Sequence, residues 1–251
     1  MMAAMALDVA VQVVNYRTAR QLATCLQSVL DDVAPSGPAV GVFVLDNASG
    51  DDLSDAARRH PEVVFSTAER NLGFGAGHNR LAAEHDAGAL LLLNPDAELI
   101  EPATVARLLA VLRSDRAVAA VGPQLVSSAG AVDLRDHGEL HGLRARVARA
   151  AGHSHYRRRN APADAAWVSG AACLVDRRAF DAVGGLTPAS SSTRRRRTCS
   201  CASGGGAGGS ATSRPCASAT TGRRSPRGRS ISTPPSGGSP ASTSAPPSSA
   251  G

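Results

Sequence analysis

Through the first 186 residues, short apolar runs alternate with longer stretches whose apolar residues fall at helical spacing. "ALDVAVQVVNY" (6–16) is β-branched and apolar almost throughout, as in a strand buried on both faces. In "RTARQLATCLQSVLDD" (17–32), Leu22, Cys25, Leu26, Val29 and Leu30 recur every three or four positions and predict a helix. "APSGP" breaks the chain, and "AVGVFVLDNASGDD" predicts a second strand running into a polar turn. A short helix over "DDLSDAARRH" and a third strand over "EVVFSTA" come next. "ERNLGFGAGHNRLAAEHDA" is a glycine-rich turn leading into a helix, and "GALLLLNPDAEL" is a fourth buried strand with a polar end. "EPATVARLLAVLRSD" predicts a helix with Pro102 in its first turn, where proline is tolerated. "AVAAVGPQLV" predicts a fifth strand, residues 127–163 an irregular polar stretch, "AAWVSGAACLVD" (165–176) a sixth strand, and "RRAFDAVGGL" a short helix ending in a glycine pair. Strand–helix alternation with continuous apolar strands points to an α/β fold, a mostly parallel sheet flanked by helices on both faces.

After Leu186 the pattern stops. Residues 187–251 contain one isoleucine, Ile231, and no Leu, Val, Met, Phe, Tyr or Trp. Such a segment buries too little apolar surface to offset the entropy of ordering it, so a disordered Ser/Arg/Gly/Pro-rich tail is expected. Residues 1–186 are expected to form the folded domain, and 187–251 the tail.

Charge divides at the same place. All 21 acidic residues lie at or before Asp181, and the basic residues are all arginine, eighteen before residue 187 and nine after it. The folded part is therefore at −3, and the overall +6 belongs to the tail, so charge gives no reason to place the folded part on nucleic acid. Cys25 and Cys173 lie in apolar stretches and read as buried thiols. Cys199 and Cys201 form a C-x-C pair with no companion at zinc-site spacing. No signal peptide is visible and no apolar run is long enough to span a bilayer, which makes a cytoplasmic, reduced protein the expectation.

Ligands of open α/β sheets sit at the carboxyl ends of the strands. Three predicted strand ends carry polar residues: Asn15-Tyr16, Asp46-Asn47-Ala48-Ser49 and Asn94-Pro95-Asp96. Asp46 either accepts hydrogen bonds from a base or ribose or caps the next helix. Asp96 follows four leucines; it offers a hard divalent cation one carboxylate beside phosphates, or it belongs to a turn and no more. In "NLGFGAGHN", Gly73, Gly75 and Gly77 remove side chains where a turn enters a helix, which allows close backbone approach to an anion or to a neighbouring strand. The stretch is neither a G-x-G-x-x-G fingerprint nor a P-loop, since the chain has no lysine.

In order and spacing, "VVNYRT", "VLDNASGDD", "ERNLGFGAGHNRL", "LLLLNPDAEL" and "WVSGAACLVDRRAFDAVGG" resemble family 2 glycosyltransferases, in particular the bacterial rhamnosyltransferase-like group, over roughly residues 8–186. The resemblance implies a GT-A fold and a nucleotide-diphosphate-sugar donor. It implies that Asn15, Tyr16, Asp46 and Asn47 line the nucleotide pocket, and that Asn71, Gly73 and Asn79 shape the donor site. Asp96 would bind Mg²⁺ or Mn²⁺ as the last Asp of the family's D-x-D motif, with Asn94 in place of the first. Trp167, Ser169, Gly170 and Ala171 would lie beside the transferred sugar and the acceptor. The implied reaction is inverting transfer to a cell-envelope glycan or a polyprenyl-diphosphate-linked acceptor at the inner face of the membrane; rhamnose as the sugar is implied by the subgroup alone. The family's general base comes from an acidic motif shortly after the Gly-Gly pair, in a run resembling F-F-L-Y-x-E-E-T-D-L. No acidic residue follows Gly185 here, so no catalytic base is assigned.

The tail carries a trace of that motif in another reading frame. Read one base earlier, a serine codon TCN becomes N-T-C, which encodes Phe, Leu, Ile or Val, and a threonine codon allows Tyr, His, Asn or Asp. From Thr187, "TPASSSTRRRRTCSCASGGGAGGSATSR" then accommodates "DPRFFLYAEETDLLLRLRRRGWRVRYVP" as a best fit. Three consecutive serines give apolar residues, Thr193 allows Tyr, and an Asp-Leu pair falls at Thr198-Cys199. The implied event is a single-base deletion near codons 185–187, with the tail an out-of-frame translation. The competing reading is a non-catalytic nucleotide-binding module whose basic disordered tail meets anionic partners. "HSHYRRRN" (153–160) lies in frame and reads as a solvated loop, or as a contact for anionic lipid head groups or a diphosphate-linked acceptor.

Overall fold

The structure is a computed structural model and describes residues 7–133, 137–138, 163–165, 167–187 and 216–224. It has eleven strands and five helices among these residues. In chain order they are β1 (Leu7–Asn15), α1 (Ala19–Asp32), β2 (Val40–Asp46), α2 (Ser54–Arg59), β3 (Val63–Thr67), α3 (Phe74–Glu84), β4 (Ala87–Leu93), β5 (Ala97–Glu98) and α4 (Thr104–Ser114). Then come β6 (Ala120–Ser127), β7 (His137–Gly138), β8 (Ala163–Ala165), β9 (Trp167–Val168), β10 (Ala172–Asp176), α5 (Arg177–Ala182) and β11 (Cys216–Arg224).

The main sheet runs β3-β2-β1-β4-β10-β6-β11-β5, with β8 paired to β11. β1 is parallel to both β2 and β4, and β2 to β3. β10 enters antiparallel between β4 and β6. The α/β architecture expected from the apolar alternation is the one observed. Within each central strand, successive residues face opposite sides of the sheet. Val9, Val11, Val13, Leu91 and Leu93 pack on one side with α1 and α4. Ala10, Val14, Leu90 and Leu92 pack on the other with Leu81 and Ala82 of α3 and Phe180 of α5. With both faces covered, polar groups needed for chemistry are left to the strand ends.

Four details differ from the expectations drawn from sequence. The fourth apolar run is two strands, because the Asn94 carbonyl closes a turn by accepting from the Ala97 amide at 3.0 Å. Helix α4 begins after Pro102, with Ala103 in the left-handed region at φ 55°. The run 165–176 is likewise broken between β9 and β10 by a turn through Gly170 and Ala171. And within the tail expected to be without structure, Cys216–Arg224 is a strand parallel to β6, its register shifting between Thr220 and Gly222. A strand pairs through its backbone, and β6 presents a full row of amide and carbonyl groups on that side. The rest of the tail, the C-x-C pair and the 153–160 stretch lie outside the described residues.

Helix α4 has no side-chain cap of its own. The buried carboxylate of Asp32, at the end of α1, supplies one from 72 residues away by accepting from the Thr104 amide at 2.6 Å and the Val105 amide at 2.9 Å. It thereby satisfies two orphan donors and places negative charge at the positive end of the helix. Replacing Asp32 by Ala is expected to lower stability by about 1–3 kcal/mol, since it strands two buried amides. Urea unfolding measures this, and a loss under about 0.5 kcal/mol would mean that another acceptor caps the helix.

Candidate functional site

The carboxyl ends of β1 and β2 are joined by a buried polar cluster. Asn15, the last residue of β1, is fully buried. Its Nδ2 lies 3.1 Å from Asp46 Oδ1, 3.2 Å from Ser49 Oγ and 3.0 Å from Asp51 Oδ2, so two hydrogens are shared among three acceptors. Its Oδ1 accepts from Thr18 Oγ1 at 2.8 Å. Asp51 also accepts from the Thr18 amide at 3.0 Å. Partial burial works to raise the Asp51 pKa, but hydrogen bonds, led by those from Asn15 and the Thr18 amide, together outweigh it and hold the group below the usual carboxylate range. Ser49 Oγ donates to Asp46 Oδ1, so that oxygen is fixed by two donors, and no donor among the described residues reaches Asp46 Oδ2.

A second cluster ties the glycine-rich turn to β2. Asn47 Nδ2 donates to Asn71 Oδ1 at 3.0 Å, and Asn47 Oδ1 accepts from the Leu72 amide at 2.8 Å. Asn71 Oδ1 also accepts from the Gly73 amide at 2.8 Å. Gly73 sits at φ 81°, a conformation that L side chains rarely adopt, and it hands the chain into α3. Two residues of the same strand ends carry positive φ without being glycine: Arg17 at 57° and Ala48 at 53°. Backbone held in this region outside glycine costs on the order of 1–2 kcal/mol and collects at binding sites. The Arg17 guanidinium lies over the half-exposed Tyr16 ring, 5.3 Å from its centroid.

The third cluster joins β4 to the turn before β10. The Asn94 amide donates to the Ala171 carbonyl at 2.9 Å, and the Asn94 carbonyl accepts from Cys25 Sγ at 3.6 Å. Ser169 Oγ accepts from the Ala171 amide at 3.2 Å. A Cβ on Gly170 would lie 3.9 Å from the Phe74 ring, so the turn rests beside the first turn of α3. Burial pushes the Cys25 thiol up, and the nearby carboxylates of Asp96 and Glu98 push it further. The same field favours a cation at the end of β4. Among the described residues no three His, Cys, Asp or Glu side chains gather to hold a metal alone. A single carboxylate at Asp96 suits a hard cation that takes its remaining ligands from phosphate and water.

Of the residues singled out at strand ends, Asn15, Asp46, Asn47, Ser49 and Asn94 lie in these clusters, while Tyr16 meets Arg17 and Asp96 adds its charge near Cys25. Asn79 lies apart from them, one turn further along α3, and its side chain meets Leu186. Trp167 is placed by its backbone, in β9 opposite Gly138. Thr18, Ser49 and Asp51 complete the first cluster without having been assigned a role from sequence; the "ASGDD" run after Asn47 was the signal, since Ser and Asp in turns bond neighbouring amides.

A sequence model described as glycosyl transferase family 2 matches residues 10–184. The chain belongs to this family. A search of curated proteins found no match. Among solved structures, the mannosyltransferase PcManGT from Pyrobaculum calidifontis, in complex with GDP-Man and Mn²⁺, is similar with a TM-score of 0.52 and 21% identity over 74% of this chain and 49% of that one. Residues 1–349 of S. aureus TarS give 0.53 and 13% identity over 75% of this chain and 53% of theirs. GalNAc-T7 with UDP, GalNAc and Mn²⁺ gives 0.54 and 14% over 73% and 37%. At these identities the likeness establishes the GT-A fold. This family 2 chain spans between about a third and about half of the length of those structures.

Beneath the glycine-rich turn lies a buried polar pair. His78 and Gln12 are both fully buried, with His78 Nδ1 3.2 Å from the Gln12 amide. The amide is best satisfied with its nitrogen towards His78 and its oxygen accepting from the Ala82 amide at 3.0 Å. Among the described residues His78 Nε2 has no hydrogen-bond partner, and the ring meets Phe74 edge-to-face at 4.5 Å. Burial lowers the His78 pKa from 6.5 to about 3. The native protein therefore refuses a proton that the unfolded chain accepts, and stability falls as pH drops from 6.5 towards 3. The expected contribution is up to about 1.4 kcal/mol per pH unit in that window. His78→Gln should flatten this part of the stability–pH profile measured by urea unfolding; an unchanged slope would place the acid sensitivity elsewhere.

Proposed function

We propose that this family 2 chain is built to transfer a sugar, with inversion, from a nucleotide-diphosphate donor to an acceptor hydroxyl. The observation that carries the reading is the convergence of Asn15, Asp46, Asn47, Asn71 and Gly73 at the ends of β1 and β2 with Asn94 and Ala171 at the end of β4. Asp46, with one oxygen fixed by Asn15 and Ser49, turns the other to a base or ribose donor. Tyr16 and Arg17 border the nucleotide, and Asn71, Gly73 and Asn79 belong to the donor side. Trp167, Ser169, Gly170 and Ala171 border the sugar and the acceptor. Asp96, with Asn94 beside it, would hold Mg²⁺ or Mn²⁺. When bound, the cation neutralises the charge that develops on the leaving diphosphate.

The acceptor hydroxyl needs a carboxylate to take its proton, and the chain has no acidic residue after Asp181. The family match ends at Gly184, beside the point where composition and charge change. This supports residues 1–186 as an incomplete glycosyltransferase domain and the tail as out-of-frame translation after a base deletion near codons 185–187. Rhamnose as the sugar, and a cell-envelope glycan or polyprenyl-diphosphate-linked acceptor, rest on subgroup resemblance. So does work in the cytoplasm at the inner face of the membrane; among the described residues no helix is long and apolar enough to cross one.

The +9 charge of the tail favours a second reading, a nucleotide-binding module that docks on anionic surfaces. Salt-sensitive binding to anionic vesicles, lost when the tail arginines are neutralised, would favour it.

Two outcomes are expected of the transferase reading. Re-reading the gene from codon 180 onwards shows the missing base, and a frame-restored protein transfers sugar while the 251-residue chain falls short by about 10²–10⁴-fold for want of its base. Equal activity of the two forms overturns that account. Asp96→Asn weakens binding of GDP or UDP in the presence of Mn²⁺ by about tenfold, ~1.4 kcal/mol, and leaves metal-free binding unchanged. Calorimetry with and without Mn²⁺ separates the two, and equal weakening in both would deny Asp96 a metal role.

A further inference from the structure

Helix α1 is tied at one end to the β1–β2 cluster and along its length to the turn that carries Asp96. At its start, the Thr18 amide donates to Asp51 Oδ2 at 3.0 Å and the Thr18 hydroxyl to Asn15 Oδ1 at 2.8 Å. Further along, Cys25, Ser28 and Asp32 fall three and four residues apart, so they share one face of the helix. Each meets the chain that follows β4. Cys25 Sγ donates to the Asn94 carbonyl at 3.6 Å, and Ser28 Oγ accepts from the Leu99 amide at 3.0 Å. Asp32 caps α4 beyond them. The Ser28 hydroxyl gives its own hydrogen to the Cys25 carbonyl at 2.8 Å, which leaves its lone pairs for Leu99.

Asp96 sits between the two held points. The Asn94 carbonyl also accepts from the Ala97 amide at 3.0 Å, and the Asn94 amide donates to the Ala171 carbonyl at 2.9 Å, so the turn is fixed where it begins. Ser28 fixes it where it ends. Ala97 and Leu99 are buried in the same core as Cys25, Leu26 and Val29 of α1, while Asp96 between Pro95 and Ala97 stays half-buried. The Cys25 thiol remains a donor, because burial opposes its ionisation and the Asp96 and Glu98 carboxylates add to that. Helix packing asks for no hydroxyl at position 28; what the serine adds is a partner for the Leu99 amide. From Ala19 to Ser28 is about 14 Å along a helix, so one rigid element sets the spacing between the polar cluster and the turn.

We propose that Ser28 and Cys25 are positioning residues for Asp96. By holding both ends of its turn on α1, they set where its carboxylate stands relative to the nucleotide side. The proposal rests on the transferase reading and deepens it: the two side chains act through the backbone at Asn94 and Leu99, and they matter for nucleotide binding only when a divalent cation is present.

The test uses the full 251-residue chain and calorimetry with UDP or GDP, with and without Mn²⁺. The quantity read is the factor by which Mn²⁺ strengthens nucleotide binding. Ser28→Ala is expected to cut this factor at least about threefold and to leave metal-free affinity within about twofold. Ser28→Thr keeps the hydroxyl and is expected to restore the factor. Cys25→Val fills the same space without a donor and should act in the same direction as Ser28→Ala. Asp32→Ala separates positioning from stability, since it should destabilise the protein from the same helix face and leave the factor unchanged. In an Asp96→Asn background, Ser28→Ala should lower the factor no further, because it acts through that carboxylate. A factor unchanged in Ser28→Ala, unrecovered in Ser28→Thr, or lowered as much by Asp32→Ala overturns the proposal. Equal weakening with and without Mn²⁺ overturns it too. If Mn²⁺ does not strengthen nucleotide binding to the unaltered chain, the metal role of Asp96 itself fails, and the proposal falls with it.

Discussion

An amide with two hydrogens faces three acceptors at the end of β1. Asn15 is fully buried, and it draws Asp46, the last residue of β2, and Ser49 and Asp51 of the loop after it against the start of α1. Two carboxylates this near each other repel, and the donors from Asn15, Thr18 and Ser49 aimed at them offset that repulsion. The constraint reaches outward from there. With the loop fixed, Asn47 is placed to receive Asn71 and Leu72, and these set the start of α3. From α3 the order passes to the turn at Gly170 and to Leu186. Buried polar networks are costly when half satisfied and specific when complete. This one fixes one oxygen of Asp46 with two donors and leaves the other without a donor among the described residues.

The layered core was legible in the sequence because its signals are local. Val13 to Val14 and Leu90 to Leu93 are apolar at every position, and no water-facing strand would be. The polar strand ends were legible for the same reason: Asp46 and Asn94 each close an apolar run. Contacts that bind distant segments were not. Nothing near Asp32 announces that its carboxylate caps α4, and nothing near Asn79 announces Leu186. Such partners depend on how helices lie on a sheet, which no window of a dozen residues encodes. The breaks at Asn94 and Gly170 were hidden for a related reason. A turn inside an apolar stretch is set by the carbonyl that must receive its amide, here Ala171 for Asn94, and not by its hydrophobicity.

The spacing of motifs pointed to a family 2 glycosyltransferase, and the family match over residues 10–184 and the GT-A fold agree with that reading. Physical chemistry adds how the parts depend on one another. Cys25, read from sequence only as a buried thiol, also holds the Asn94 carbonyl and feels the Asp96 and Glu98 charges. Gly185, read from sequence only as half of a glycine pair, is the socket for Asn79.

Strand β11 pairs with β6 through main-chain groups, in a segment with scarcely an apolar side chain to contribute. What fills the edge of β6 here is main-chain pairing. While a chain is still emerging from the ribosome, with β6 finished and no successor in place, that edge is a template open to any extended peptide nearby. Quality control of such a protein would then turn on speed: whichever strand arrives first, its own or a stranger's, decides between a folded sheet and the first layer of an aggregate.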